Sequence, residues 1–503
     1  MLIYWPRVNF QNWILSTSHL TWPDYLILAV LVAFMIALGN LLGGEKNTQD
    51  FFLARRRIPG WVACLSFVAA EVSALTIISV PATAYMENWE YAQFFIGSTL
   101  ARFTIAYLFI PAFYAYNCTT IYEFLKHRFG ASTQYTGTVF FFITRLLGSG
   151  VRLTAASLAV SVLLGWHILP AIVIFTVIGI AYTIHGGIRS VVWTGLFQAT
   201  IFILGGVVAI GYLLLHIQGG WTGFLHVAGA AGKLKVWDLG PPLHDPQFFK
   251  AFLSDPNLIW MALLNGYFGS MAAFGTDHEL MQRLLTVETR RESQKSMVWT
   301  TLWSGLVLGI YLMIGACIYV FYAQNPGLPL PQKLDAIFPH FVNNVMPVGL
   351  RGILLSAIVM AGVHSPLASL TASFVTDIYR PLIKKDGTES HYMTVSRISV
   401  GLFAVLLAVL AYLFSFFHKI LWLAFKIGGV TFGSLLGVFL LGLMTTRKSN
   451  RANVLGMISM GLLNAVLLTL SEMHIFQIGW TWLVLIGTAG TFGIGYVLGP
   501  LFD

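Results

Sequence analysis

Six ionisable side chains stand inside long hydrophobic runs of this 503-residue chain: Glu71, Arg102, Arg145, Arg152, His364 and Lys426. An ionised group at the centre of a bilayer costs roughly 2.5–3.5 kcal/mol on insertion scales. Such groups therefore face a bundle interior or a water-filled cavity, and they find partners there. The chemistry open to them is charge recognition and proton carriage. A guanidinium offers planar, bidentate donors to a carboxylate. A buried carboxylate with a raised pKa, or an imidazole near neutral pH, can carry a proton. Covalent chemistry is poorly served. The deep ionisable residues show no HExxH pattern or paired acids, and no GxxxxGK[ST] phosphate loop occurs, so a multi-span enzyme or an ATP-driven pump lacks its machinery. His364 and Ser365 are adjacent, so on a helix their side chains point about 100° apart.

Each of these residues has a functional and a purely structural reading. Glu71 lies in the small, polar stretch Ala69-Ala70-Glu71-Val72-Ser73-Ala74-Leu75-Thr76. Either the helix unwinds here to line a site, or Glu71 is one half of a structural ion pair, with Arg152 or Lys426 as partner. Arg145 and Arg152 are seven apart and share a helix face. Arg152 is the candidate for substrate contact, and its alternative is a buried arginine bonded to backbone carbonyls. His364 precedes Ser365-Pro366 in a kinked polar stretch that could line a cavity, or it bonds a carbonyl. Asn265-Gly266-Tyr267-Phe268-Gly269-Ser270 predicts a second discontinuous helix. Small-residue spacings such as Gly433 to Gly437 are ordinary helix packing.

The elements that hold these residues follow from composition. Hydrophobic residues make up 57% of the chain and charged ones 10%, against about 25% charged in soluble proteins. A soluble enzyme and a nucleic-acid binder are excluded, and the lipid bilayer is the expected surrounding. Thirteen apolar runs, near 22–43, 59–83, 90–116, 134–165, 168–186, 188–217, 250–276, 294–324, 345–383, 392–417, 419–445, 451–471 and 475–500, predict an all-α integral membrane protein of about 13 transmembrane helices, since open strands cannot cross lipid. One set of alternate loops holds eighteen Lys and Arg, the other seven. By the positive-inside rule the first set is cytoplasmic, with the N-terminus outside and the C-terminus inside. The outside loops near 217–249 and 325–344 read as caps or lids. Cys64, Cys118 and Cys317 are far apart in sequence and predict neither a disulfide framework nor a metal site. The organisation expected is a tail and first peripheral helix (1–58), a five-helix unit (59–217), an extracellular loop (218–249), a second five-helix unit inverted on the first (250–445), and two further peripheral helices (446–503).

Several motifs, in order, resemble the sodium:solute symporter family. They are Phe51-Phe52-Leu53-Ala54 with Pro59-Gly60-Trp61, Val80-Pro81-Ala82-Thr83-Ala84-Tyr85, the run from Ile121 to Gly130, and Gly186-Gly187-Ile188-Arg189 leading to Trp193-Thr194. Gly275-Thr276-Asp277 with Gln282-Arg283, and Thr376-Asp377-Ile378-Tyr379, complete the series. The resemblance covers about residues 50–445. It implies a leucine-transporter-like five-plus-five inverted repeat and a solute carrier of a bacterial inner membrane. No organic cofactor is implied, and the partner is a small polar organic solute, carboxylate-bearing or sugar-like. Oligomeric state is not legible.

Carried across position by position, the resemblance implies a sodium site of backbone carbonyls at Ala69, Val72 and Ile358. The two hydroxyl positions of that site fall on Ala361 and Gly362, and an aspartate position of a second cation site falls on Gly195. With Ser365 as the substitute hydroxyl, sodium is one candidate coupling ion. Proton coupling through Glu71 or His364, or cation-independent exchange with the Lys426 ammonium in place of a cation, is the other. The substrate set implied is Glu71, Ser73, Thr76, Phe95, Arg152, Asn265 and Lys426. Arg152 matches an arginine that meets the substrate carboxylate in sialic acid carriers, while Phe95 replaces a polar residue.

Overall fold

The computed structural model describes residues 20–43, 45, 47–242, 244–255, 257–331, 334–362, 366–416, 420–473, 475 and 478–502. Regular structure among them is helical, apart from one backbone bridge between Ile58 and Val287. The helices that build the body are α1 (Trp22–Leu41), α2 (Gly60–Glu71), α3 (Ala74–Met86), α4 (Gln93–Thr104), α5 (Ala131–Leu164), α6 (Ile168–His216), α7 (Ile259–Gly275) and α8 (His278–Leu285). They continue with α9 (Arg290–Gln324), α10 (Leu350–Gly362), α11 (Leu367–Ser373), α12 (Glu389–Phe414), α13 (Ile420–Met444), α14 (Asn450–Glu472) and α15 (Thr481–Phe502).

Among the described residues, ten helical stretches are long and apolar enough to cross a membrane, and the bent pair α2–α3 makes an eleventh. The sequence predicts thirteen. α6 accounts for part of the difference. Its 49 residues are two helices that meet at a kink at Gly187, where φ 48° and ψ −140° are non-helical, a conformation that glycine accepts most readily; they count once among the ten stretches. Its two arms are the two separate runs of the sequence. α7 accounts for the rest: its 17 residues fall short of the roughly 20 that span a bilayer unaided.

α2 stops at Glu71. Val72 and Ser73 are extended, and the chain re-enters a helix at Ala74, with 60° between the two segments. The unwinding expected at 69–76 is therefore present. The second expected break is not. α7 runs unbroken, and its glycine at 266 serves packing instead. A Cβ at Gly266 would fall 2.3 Å from the Phe94 carbonyl, and one at Gly97 2.3 Å from the Leu263 carbonyl. α4 and α7 thus meet backbone to backbone. Gly433 and Gly437 pack α13 on α15 in the same way, with Cβ positions 2.6 Å from the carbonyls of Val484 and Thr488.

The loop after α6 caps α3, as expected. Lys233 Nζ donates to the carbonyls of Tyr85, Met86 and Glu87 at 2.7, 2.9 and 3.0 Å, where a helix C-terminus attracts a cation. Burial there pushes the Lys233 ammonium below the ordinary lysine pKa. The three cysteines are buried and free.

Candidate solute site at the helix break

A helix end leaves its last carbonyls without amide partners. At the end of α2 those carbonyls belong to Ala69, Ala70 and the residues that follow. Ala69, Val72 and Ser73 are buried around the break, and Thr76 is half-buried in the first turn of α3. The Ala70 carbonyl accepts from Arg152 Nη1 of α5 at 3.4 Å.

Glu71 closes α2, and its partner corrects the sequence reading. Neither Arg152 nor Lys426 meets it. Arg102 of α4 does, with Nη2 at 2.5 and 2.6 Å from the two carboxylate oxygens. Ser304 of α9 donates to the same carboxylate at 2.6 Å, and Arg102 Nη1 donates to Ser98 Oγ at 3.0 Å. The guanidinium carbon lies 4.7 Å from the Phe274 ring centroid and 5.5 Å from that of Phe95. Phe95 is thus part of the wall around this pair. Arg102, Ser98 and Ser304 were not expected as a set. Ser98 stands one turn before Arg102 on the same face, which is the only local signal of it.

Arg145, seven residues before Arg152, is fully engaged elsewhere. It pairs with Asp277 and, at 2.5 Å, with Glu279. Asp277 caps α8, accepting from the Glu279 amide at 2.9 Å. Tyr122 donates to the Thr276 carbonyl and Gln282 to that of Phe52, each at 2.9 Å. Nearby, Asp377 accepts from Thr120 at 2.7 Å, Gln134 at 2.9 Å and Thr138 at 3.3 Å. Several of the sequence motifs converge on this buried cluster rather than on the break. His278 lies in it with neither ring nitrogen hydrogen-bonded, and burial pushes its pKa down to about 3.

Arg152 differs. Among the described residues no carboxylate lies within ion-pairing distance of it, and the Ala70 carbonyl is its one hydrogen-bond partner. A half-buried guanidinium with remaining donors beside a bent backbone can receive an anionic group.

The remaining expected residues are dispersed. Lys426 is 2.6 Å from Glu472, the last residue of α14. It therefore serves the end of the bundle, not the break, because α13 begins at Ile420 and its first turns lie beside that helix end. Asn265 is half-buried on the continuous α7, its side-chain oxygen lying over Gly269. Ile358 is fully buried in α10. His364 and Ser365 lie outside the described residues. No group of three metal-ligating side chains occurs among the described residues.

Known proteins give these features a context. A sodium/sialic acid symporter of Aliivibrio fischeri is 26% identical over 491 residues, covering 95% of this chain and 93% of that protein. Sodium-coupled monocarboxylate transporter 1 of Xenopus laevis is 26% identical over 456 residues, 88% of this chain and 71% of that protein. Among solved structures, a Na+-coupled sialic acid symporter in a substrate-bound, outward-open state superposes with a TM-score of 0.84 at 24% identity, covering 96% and 98% of the two chains. A nucleobase-cation-symport-1 transporter superposes at 0.54 and 14% identity, covering 92% and 98%. These superpositions agree with the expected all-helical fold of inverted five-helix repeats. The profile described as the sodium:solute symporter family matches residues 51–460, and the chain belongs to that family as a multi-pass solute transporter.

Proposed function

We propose that this transporter moves a small, carboxylate-bearing organic solute, held at the break between α2 and α3 with its carboxylate on Arg152. The observation that carries this reading is the Arg152 guanidinium, which forms no ion pair with a described residue. Glu71 is already neutralised by Arg102, so Arg152 retains its charge for a ligand. Ser73 and Thr76 at the break supply hydroxyls. Two relatives are named for sialic acid and monocarboxylates, which share that functional group. Uptake into proteoliposomes tests the reading. A panel of sialic acid, short monocarboxylates and uncharged sugars should give saturable uptake of an anion and none of its amide. Equal uptake of a neutral sugar would overturn it.

Sodium is the coupling ion that family membership supports, with the Ala69, Val72 and Ile358 carbonyls as ligands. A second reading, proton coupling or cation-independent exchange, is favoured by the packing where hydroxyls and a carboxylate would otherwise sit. A Cβ at Gly362 would fall 2.4 Å from that of Ala156, and one at Gly195 2.5 Å from Ser66 Oγ. Larger ligating side chains have no room at either position. Sodium and pH gradients imposed separately on the same proteoliposomes divide the two. Strict sodium dependence without a response to pH would sink the second. The loop charges, eighteen against seven, support an outside N-terminus and a cytoplasmic C-terminus in a bacterial inner membrane. Single-cysteine labelling at residue 447 and at residue 333 checks this.

A further inference from the structure

We propose that the cleft between the first turns of α2 and α9 binds one zwitterionic phospholipid whose headgroup carries a primary ammonium. The phosphate lies on Arg57 and Lys295 and the ammonium on Glu288. The cleft encloses about 760 Å³, within the range of sites that hold a discrete ligand. None of the residues at the solute site lines it.

Its mouth is charged and fixed. Ile58 and Val287 pair backbone to backbone, and the Ile58 amide donates to the Thr286 carbonyl at 3.1 Å. That parallel bridge anchors Arg57, just before Ile58, and Glu288, just after Val287, at the rim. Both are exposed, and they do not pair with each other. Lys295 is 2.9 Å from Glu292, with side chains 54% and 50% exposed. An ion pair this open is worth about 1 kcal/mol or less, so a phosphate can compete for the ammonium. The floor is tight. Ser296 donates to the Gly60 carbonyl at 2.8 Å, and a Cβ at Gly60 would fall 2.7 Å from its hydroxyl.

Trp61, Trp299, Trp303 and Leu65 also line the cleft. Trp61 is 60% and Trp299 54% exposed, so large rings stand uncovered beside the charged mouth. Tryptophan in such a position sits at the headgroup level of a bilayer. One cleft thus offers charged groups for a headgroup and aromatic and aliphatic surface for the ester region and an acyl chain. A rim with an unpaired cation and an unpaired anion suits a dipolar headgroup. A purely anionic lipid would meet Glu288 and Glu292 with like charge. The occupant also touches α2, whose other end forms the break, so it braces one half of the bent pair against α9.

Native mass spectrometry of the delipidated full-length protein, titrated with phosphatidylethanolamine, phosphatidylcholine and phosphatidylglycerol, tests this. One phosphatidylethanolamine per chain should bind at least tenfold tighter than the other two. Arg57→Ala with Lys295→Ala should weaken it at least tenfold, and Glu288→Gln should erase the preference over phosphatidylcholine. All three positions are exposed, and an unchanged melting temperature verifies the fold of each variant. Undiminished phosphatidylethanolamine binding by the double variant, or phosphatidylglycerol binding as tight as phosphatidylethanolamine, would overturn the assignment.

Discussion

Two clusters of buried charge lie in this molecule, and their charge balance differs. Around the start of α8, Arg145 and Arg283 face Asp277 and Glu279, two cations against two anions. Around the break of α2, Arg102 pairs with Glu71, and Arg152 makes no ion pair with any described residue. A buried charge without a counter-charge is costly, so an uncompensated guanidinium is hard to explain as a device for stability. The balanced cluster is built to stay shut. Under the proposed function, an anion that arrives and leaves completes the unbalanced one.

The largest effect expected is on the balanced side. Arg145→Ala leaves Asp277 and Glu279 short of a partner in a buried site, which should destabilise the fold by about 3–5 kcal/mol. A melting curve in detergent reads this as a large drop or as loss of monodisperse protein. An unchanged curve would erase the distinction between the clusters. On the unbalanced side the same substitution should act on transport. Arg152→Ala should lower uptake of the anionic solute about 100-fold, equivalent to roughly 2.7 kcal/mol, with the melting temperature unmoved. Loss of stability without loss of uptake selectivity would reassign Arg152 to the structural class.

His278 sharpens the contrast by pH. Its folded pKa, about 3, lies below the ordinary histidine value near 6.5. Between those values the unfolded chain binds a proton that the folded chain does not, so stability falls as pH falls below about 6.5. At pH 5 the loss amounts to about 2 kcal/mol. His278→Phe keeps the ring contacts with Tyr122 and Phe141 and should flatten this acid limb of the melting profile. A profile as steep as that of the unsubstituted protein would place the acid sensitivity elsewhere.

The helices were legible because the bilayer demands long apolar runs and tolerates few charges. The break at 69–76 was legible for a related reason: small polar residues and an acid are out of place in such a run. The partner of Glu71 was not legible, because Arg102 is 31 residues away and which helices neighbour each other is a tertiary fact. Asn265–Ser270 misled because glycine serves two purposes that look alike in sequence. It permits a break, and it permits the backbone contact of Gly266 with Phe94. Gly187 was read correctly: its non-helical backbone parts two helices where the sequence shows two apolar runs.

Lys426 provides the smallest effect and the cleanest control. Its apolar surroundings in sequence made it look central, yet it meets Glu472 at 2.6 Å, and that glutamate is 55% exposed. A long aliphatic stem lets a lysine lie along apolar surface while its charge reaches a wet helix end. Pairs this open contribute about 0–1 kcal/mol. Lys426→Ala should therefore change the melting temperature by no more than a few degrees and leave uptake of the anionic solute within about twofold. If instead it abolishes uptake as Arg152→Ala does, the surplus positive charge at the break is not the feature that selects the solute, and the contrast between the two clusters loses its functional half.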